Sequence, residues 1–483
     1  MSQPLVTLTE LDGSLGVLPA SSGKLLAVMG VSSSGTANAP ATYARITDLV
    51  AAFGAGPMVE AAAHHIRVTG RPVVVVKTGS TTAATASAVT LVGTGTSVGT
   101  VSSATLANDD YEVAVKIVTG GTRGVAGVTY QVSLDGGRTY GAVTALGTDV
   151  SITPAGAGGV ILALAAGTFV SGDVYSFRTT AAAPNGSEAT AAMTALQNWI
   201  GSWGIVLCAF PVDATLFDAI DTAITAMRAS GKYRAWVGNT RVPNISESES
   251  AYKTALDAIF ASKASKTGAL CAGAVKHTSA VTGRKYKRPA SFIAASLEAS
   301  VEEHINTADV NLGPLTAVSI KDTKGNPDEH DESINPGLDD SRFYVLRTWE
   351  GIEGTYVNIP RTFAATGSDF RLFTHRRVMN TACEVLKPYL QTRLNKPIRI
   401  DPKTGFILES EALEIEAGAR RILEAALMSA PKASAVAYTL SRTDNLLSTR
   451  RLNGQARIVP LAYAEELVTE IGFSNPALTT VSA

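Results

Sequence analysis

The densest set of potential ligands in the chain is Asp328-Glu329-His330-Asp331-Glu332. Adjacent carboxylates beside an imidazole could hold a divalent cation. A calcium loop of the EF-hand type needs acidic residues at alternate positions, a Gly at the sixth and a Glu at the twelfth. This run lacks that spacing, so a solvated acidic loop is the expectation. His64-His65 falls in a predicted helix, where neighbouring residues face different ways, so the two imidazoles do not chelate one ion without a third ligand. His277, His304 and His375 belong to no HxxxH or HExxH pattern. Gly54-Ala55-Gly56 precedes a helix as a phosphate-binding turn would. Val59 stands where the third Gly of GxGxxG belongs, however, and no GxxxxGK[ST] occurs, so a structural turn is the better reading. There is no GxSxG elbow and no cysteine signature. The residues therefore propose no catalytic group, no metal and no cofactor, and the chain does not read as an enzyme. One signal remains. Arg371, Arg376, Arg377, Lys387, Arg393, Lys396 and Arg399 make one predicted helix and its exit basic. That pattern fits a solvated helix face or a contact with an acidic partner surface.

The elements that carry these residues follow from periodicity. Residues 24–32 (KLLAVMGVS) and 72–77 (PVVVVK) are apolar runs of the kind found in strands buried on both faces. A helix is predicted between them at 58–68, opened by Pro57, which suits the first helical turn. From Gly79 to Ala183 the composition shifts to Thr, Ser, Gly, Val and Ala, with short alternating runs at 111–118 and 128–134. Asp135-Gly136-Gly137 is a hairpin signal there. That stretch predicts an inserted antiparallel β-sandwich or barrel. Helix and strand then alternate, with helices near 187–200 (capped by Ser187), 213–230 (capped by Asp213), 246–262 and 289–304, and strands at 205–210, 233–237 and 269–275. Such alternation predicts a mostly parallel sheet with helices packed on it. Further on come strands at 343–349 and 355–359 and a helix at 370–394 that Pro388 should kink or end. A helix at 411–427 capped by Ser410 and a strand at 434–442 follow.

Both ends of the sequence read as sticky strands. In residues 4–18, Val6 and Leu8 alternate with Thr7 and Thr9. In residues 455–473, Arg457, Val459, Leu461 and Tyr463 share one face, and the alternation resumes at Leu467, Thr469, Ile471 and Phe473. Pro460 has no N–H for a ladder, which places this strand at a sheet edge or beside a bulge. Each terminus is either an edge strand of its own domain or a strand added to a neighbouring subunit.

Bulk properties narrow the classes. The 483 residues carry 41 Lys and Arg against 42 Asp and Glu, a formal net charge of −1, so neither nucleic acid nor an anionic membrane is expected as a partner. Cys208, Cys271 and Cys383 are few and widely spaced, without a disulfide framework or zinc pattern. No signal peptide and no run approaching the ~18 apolar residues of a membrane helix is legible.

Two regions together resemble the tail sheath proteins of contractile-tailed bacteriophages and related contractile injection systems. The first contains LLAVMGVSSSGTANAP, ITDLVAAFGAG and TGRPVVVVKTG. The second contains TYVNIPR, FRLFTHRRVMN with its Arg376-Arg377 pair, DPKTGFILESEALEIEAGARRILEAAL and RIVPLAYAEEL. The resemblance spans about half the chain. It implies a multidomain protein: an N-terminal arm (1–22), an α/β domain (23–78 and 184–341), the inserted β domain (79–183), an α+β C-terminal domain (342–454) and a C-terminal arm (455–483). It implies a structural subunit that polymerises with itself as stacked hexameric rings in a helical array around a tail tube. Contraction would then drive the tube through a cell envelope for genome ejection or a similar delivery. The terminal strand-exchanging arms would make the inter-subunit contacts, through Val6, Leu8 and Leu11 at one end and Ile458, Val459, Leu461, Tyr463, Leu467 and Ile471 at the other. Arg371, Arg376 and Arg377 would face the tube. Tube, baseplate and tail terminator proteins would be the other partners, and the location a virion tail assembled in the host bacterial cytoplasm. The alternatives are another self-assembling tail or virion component and an α/β enzyme with a β insertion.

Overall fold

The computed structural model describes residues 25–244, 247–316, 318–320, 329–429 and 431–473, divided into two compact units between Pro397 and Ile398. The first unit is built on a six-stranded sheet. Its order is Gly268–Cys271, Ala235–Asn239, Ile205–Pro211, Leu26–Gly30, Val73–Lys77 and Ala41–Tyr43. Neighbours are parallel except the last, antiparallel pair. The apolar runs end up inside because helices cover both faces. Leu26, Val28, Val73 and Val75 face helices Pro57–Thr69 and Ala290–Ser300. Ala27, Met29, Val74 and Val76 face Gly186–Asn198, Ala214–Ala229 and Glu249–Phe260. Each fully buried Val or Leu contributes about 1.5–3 kcal/mol relative to exposure. On the second face, Phe217, Trp236, Phe260, Phe343 and Phe363 form an edge-on aromatic cluster with ring centroids as close as 5.2 Å.

Local chemistry sets the helix ends. Asp213 caps its helix as expected, accepting from Leu216 N at 2.8 Å. The preceding helix is capped by Asn185 and not by Ser187. Asn185 and Glu188 exchange bonds in a capping box, which a reading centred on the Ser missed by two residues. The region from 269 to 289 also differs: Ala274–Thr278 and Lys285–Pro289 pair as an antiparallel hairpin, the second strand of which the sequence did not reveal.

The strand ladders of the insertion are antiparallel, with Thr82 bridging Ala183 at its neck and one parallel bridge between Glu112 and Asp135. Glu112–Thr119 lies between Thr129–Ser133 and Val174–Thr180, and a second sheet of Ser151–Ile152, Ile161–Leu164 and Gly99–Ser102 shares the same core. Among the described residues no barrel closes. The Asp135 turn forms as expected: its carboxylate accepts from Ser133 Oγ at 2.6 Å and from Thr139 N at 2.9 Å.

The boundary expected at 342 is not where the structure divides. Phe343, Val345 and Phe363 enter one core of the first unit, and Tyr344, Leu346, Val357 and Phe373 the other. Helix Phe373–Gln391 includes Pro388, which sits in its last turn; the helix ends three residues later, with Thr392 N bonded to Pro388 O and Tyr389 O.

The second unit is simpler. Helix Glu409–Leu427 buries Ala412, Ile415, Ala419, Leu423 and Leu427 and packs on strand Ala433–Leu440. Its N-cap is Leu408 without a side-chain bond, not the Ser410 expected. Ala433–Leu440 pairs antiparallel with Gly454–Pro460. Arg442 clasps the helix, reaching Glu409 at 2.7 Å and Glu416 at 2.6 Å.

Candidate functional site

The second unit carries an exposed strand and a run of exposed apolar residues. The pair Ala433–Leu440 and Gly454–Pro460 is a complete sheet by itself, with registers Val436↔Ile458 and Ala435↔Val459. A two-stranded ribbon is marginal alone, and among the described residues no third strand lies on either of its edges. Pro460 lies at the end of its strand beside a register shift, as its missing N–H predicts. Residues 461–473 form no helix or strand. Leu467 is 86% exposed and Ile471 95%, with Val468 and Phe473 similarly bare. Isolated exposed apolar residues need no explanation; here they follow one another along the chain after the ribbon.

Of the residues expected to contact a neighbour, Ile458 and Val459 therefore pair first within their own chain. Leu461 and Tyr463 are half-buried, and Leu467 and Ile471 stand in solvent. Val6, Leu8 and Leu11 lie outside the described residues.

The basic helix corrects another expectation. Arg371 is exposed, but Arg376 is 3% and Arg377 5% exposed, so neither presents its charge at a surface. Arg377 holds the buried Glu298 at 2.9 Å and donates to Val301 O at 2.5 Å. A run of positive charge on a helix reads as a solvated or docking face only until long-range partners are known, and Glu298 is 79 residues away.

The acidic run is likewise not a solvated loop. Glu329, His330, Asp331 and Glu332 are all buried; Asp328 lies outside the described residues. Asp331 accepts from Thr348 N at 3.0 Å and Ser333 Oγ at 2.7 Å, and Glu329 meets Lys287 at 2.8 Å. His330 joins Glu249 at 2.8 Å and Glu332 at 2.9 Å through opposite ring nitrogens. Burial opposes its protonation, but those two carboxylates prevail and raise it to about 9. The arrangement is an imidazolium bridge between two segments. Among the described residues no group of three His, Cys, Asp or Glu side chains is placed to hold a metal.

Three further histidines, His64, His65 and His277, are buried. His64 Nδ1 lies 2.8 Å from His277 Nε2, and His65 Nδ1 lies 3.1 Å from Ser296 Oγ. Burial, with Arg67 nearby, pushes His64 down to about 3, and burial with Arg71 takes His65 to about 4. The Gly54–Gly56 turn is structural. Ala55 N donates to Ser33 Oγ at 2.9 Å, and a Cβ on Gly56, whose φ is 143°, would meet Val31 O at 2.8 Å. Sequence reading missed a further buried pair. Arg288 from the body's hairpin grips Asp109 of the insertion through two bonds of 2.8 and 2.7 Å, with both side chains inside the protein.

A family model described as DUF2586, N-terminal domain, matches residues 3–359. Among solved structures, a chain of the PVC sheath complex, an extracellular contractile injection system in its contracted state, aligns with 98% of this chain and 98% of its own. The TM-score is 0.53 and the identity 12%. A chain of the anti-feeding prophage baseplate in its contracted state aligns with 99% of this chain and 100% of its own, with TM-score 0.50 and 11% identity. The sheath tail protein Lin1278 from Listeria innocua covers 93% of this chain and 98% of its own at TM-score 0.45 and 11% identity. No curated protein matches. At these identities the first two likenesses are of fold, and they extend over nearly the whole chain.

Proposed function

The chain belongs to the DUF2586 family, and we propose that it is a structural subunit of a contractile sheath. It polymerises with itself as stacked hexameric rings around a tube and shortens to drive that tube through a cell envelope. It performs no catalysis, and its working energy lies in subunit packing. The observation that carries this reading is the open two-stranded sheet of the second unit, followed by the exposed apolar residues Leu467, Val468, Ile471 and Phe473. The fold shared with a chain of the PVC sheath complex supports it.

The physical account is strand addition. A strand from a neighbouring copy laid on an open edge satisfies backbone groups at about 0.5–1.5 kcal/mol net per hydrogen bond. Apolar side chains of the terminal segments add burial. Val6, Leu8 and Leu11 would come from one neighbour, and Leu461, Tyr463, Leu467 and Ile471 would reach another. Backbone ladders of this kind keep subunits linked while the α/β bodies rotate. Of the three arginines first assigned to the tube, Arg371 alone is retained, because its side chain is at the surface. Baseplate and terminator proteins would contact the two ends of the array, in a tail or injection particle.

Negative-stain electron microscopy of the purified chain, beside a variant lacking residues 455–483, tests this. Long hollow tubes from the full chain and dispersed particles from the shortened one are expected. A full chain that stays monomeric at every salt and protein concentration, with or without a tube template, overturns the reading.

A further inference from the structure

The seam between the end of helix Ala214–Ala229 and helix Phe373–Gln391 holds an excess of buried positive charge. Arg228 Nη1 and Arg376 Nε both donate to the same acceptor, Asn380 Oδ1, at 2.6 and 3.1 Å. Asn380 and Arg376 are buried, and Arg228 is half-buried. Each guanidinium lies against a ring, Arg376 over Phe370 at 4.3 Å and Arg228 over Tyr233 at 5.3 Å. Neither makes an ion pair with a carboxylate among the described residues. Lys387, farther along the same helix, adds a third cation, donating to Ser230 O at 3.2 Å and Gly231 O at 3.4 Å. Of the nearby carboxylates, Glu384 is paired with Arg234 at 2.7 Å, and Glu303 lines the same cavity as Asn380 without an ion pair to either guanidinium. Arg376 Nη2 has no acceptor at all, although it is shut off from solvent.

Buried like charges without a counter-ion are a standing liability, since a buried charge normally requires a partner. Burial, and then Arg228 beside it, depress Arg376 to about 10. Cys383 and Tyr233 also lie nearby, but burial pushes the Cys383 thiol and the Tyr233 phenol up, away from their charged forms. Two guanidiniums converge on one neutral oxygen, and Arg376 Nη2 beside it is buried without an acceptor. Guanidinium forks match carboxylate and phosphate oxygens in geometry as well as charge.

We propose that Arg228 and Arg376, held together by Asn380, form a binding site for an oxyanion of carboxylate or phosphate size, entered from the half-exposed Arg228 side. The oxyanion is either a free inorganic anion or a carboxylate side chain of a second copy of this chain.

The test is thermal unfolding of the full chain, titrated with inorganic phosphate against sodium chloride at matched ionic strength. Binding to the folded state raises the midpoint in proportion to the logarithm of ligand concentration above its dissociation constant. Phosphate should raise the midpoint beyond chloride, and Arg228→Gln should remove that increment, while Arg420→Gln on the second unit should retain it. Asn380→Asp guards against variants that simply misfold. It places a carboxylate where both guanidiniums already point, so it should raise the midpoint in chloride and abolish the response to phosphate. Equal midpoints in phosphate and chloride, an increment that survives Arg228→Gln, or an Asn380→Asp chain less stable than the parent in chloride each overturns the proposal. The sources separate on assembled protein. If a neighbour's carboxylate occupies the site, phosphate weakens the polymer; if the anion is free, phosphate leaves the polymer intact while still raising the midpoint.

Discussion

The two units solve the same problem differently. In the first, six strands are sandwiched between helices, and the interior strands Leu26–Gly30 and Val73–Lys77 are apolar on both faces with all their neighbours inside the chain. In the second, a single helix, Glu409–Leu427, packs on a two-stranded ribbon, and Gly454–Pro460 is exposed along nearly its whole length. The first is finished by its own sequence. Among the described residues the second adds no third strand to its ribbon, and on the proposed reading a neighbouring copy supplies it. Residues that hold the body together should therefore affect stability, and residues of the ribbon should affect association.

The largest effect should come from the aromatic cluster. Trp236→Ala removes a fully buried ring packed on Phe217 at 5.2 Å and should cost about 3–5 kcal/mol, read by urea denaturation. Comparable is Arg288→Ala, which strands Asp109 as a buried, unpaired carboxylate; breaking such a pair from one side costs about 3–5 kcal/mol. Hydrogen exchange should show this loss concentrated in the insertion. The double change Arg288→Met with Asp109→Leu should recover most of it.

The histidines give a signed pH prediction of intermediate size. Burial holds His64, His65 and His277 at about 3, 4 and 2 in the folded protein against 6.5 ordinarily. The unfolded chain then binds more protons below pH 6.5, so this stability is present above 6.5 and lost progressively as pH falls toward those values. His330 works in the opposite sense. Raised to about 9, it contributes stability fully present below 6.5 and lost as pH rises through 9. A midpoint-versus-pH profile should fall on both sides of neutrality, and His330→Gln should flatten only the alkaline limb.

The smallest effect on stability should be at the ribbon. Val459 is 53% exposed, so Val459→Asp should change unfolding free energy by less than about 0.5 kcal/mol while preventing tube formation. A large loss of stability with normal tubes would reverse the contrast between the units.

What the sequence disclosed follows the same division. The central strands were legible because a strand buried on both faces is apolar at every position, as in VVVVK. The antiparallel strands Glu112–Thr119 and Thr129–Ser133 were legible from their alternating runs and from the turn chemistry at Asp135. The Asp213 cap is a local interaction and was read locally. Charged residues with distant partners were not legible. Arg377 is satisfied by Glu298, 79 residues away, and His330 by Glu249, 81 residues away, and no short window along the chain contains both halves. The strand Lys285–Pro289 hid for the same reason: its inward residues are Tyr286 and Arg288, and a buried arginine breaks hydrophobic alternation. The boundary at 342 was misplaced because Phe343, Val345 and Phe363 complete a core that begins at Ala27 and Met29 in the first strand. Of the candidate association residues, the apolar character of Leu467 and Ile471 was visible, whereas the pairing of Ile458 and Val459 inside their own chain was not.

The most direct measurement is hydrogen exchange of residues 454–473 in the dispersed chain and in the assembled polymer. The account predicts rapid exchange at the outward-facing amides of Gly454–Pro460 and at 461–473 in the dispersed chain, with strong protection of both on assembly. Equal exchange in the two states, with protection appearing only on the α/β body, would contradict it.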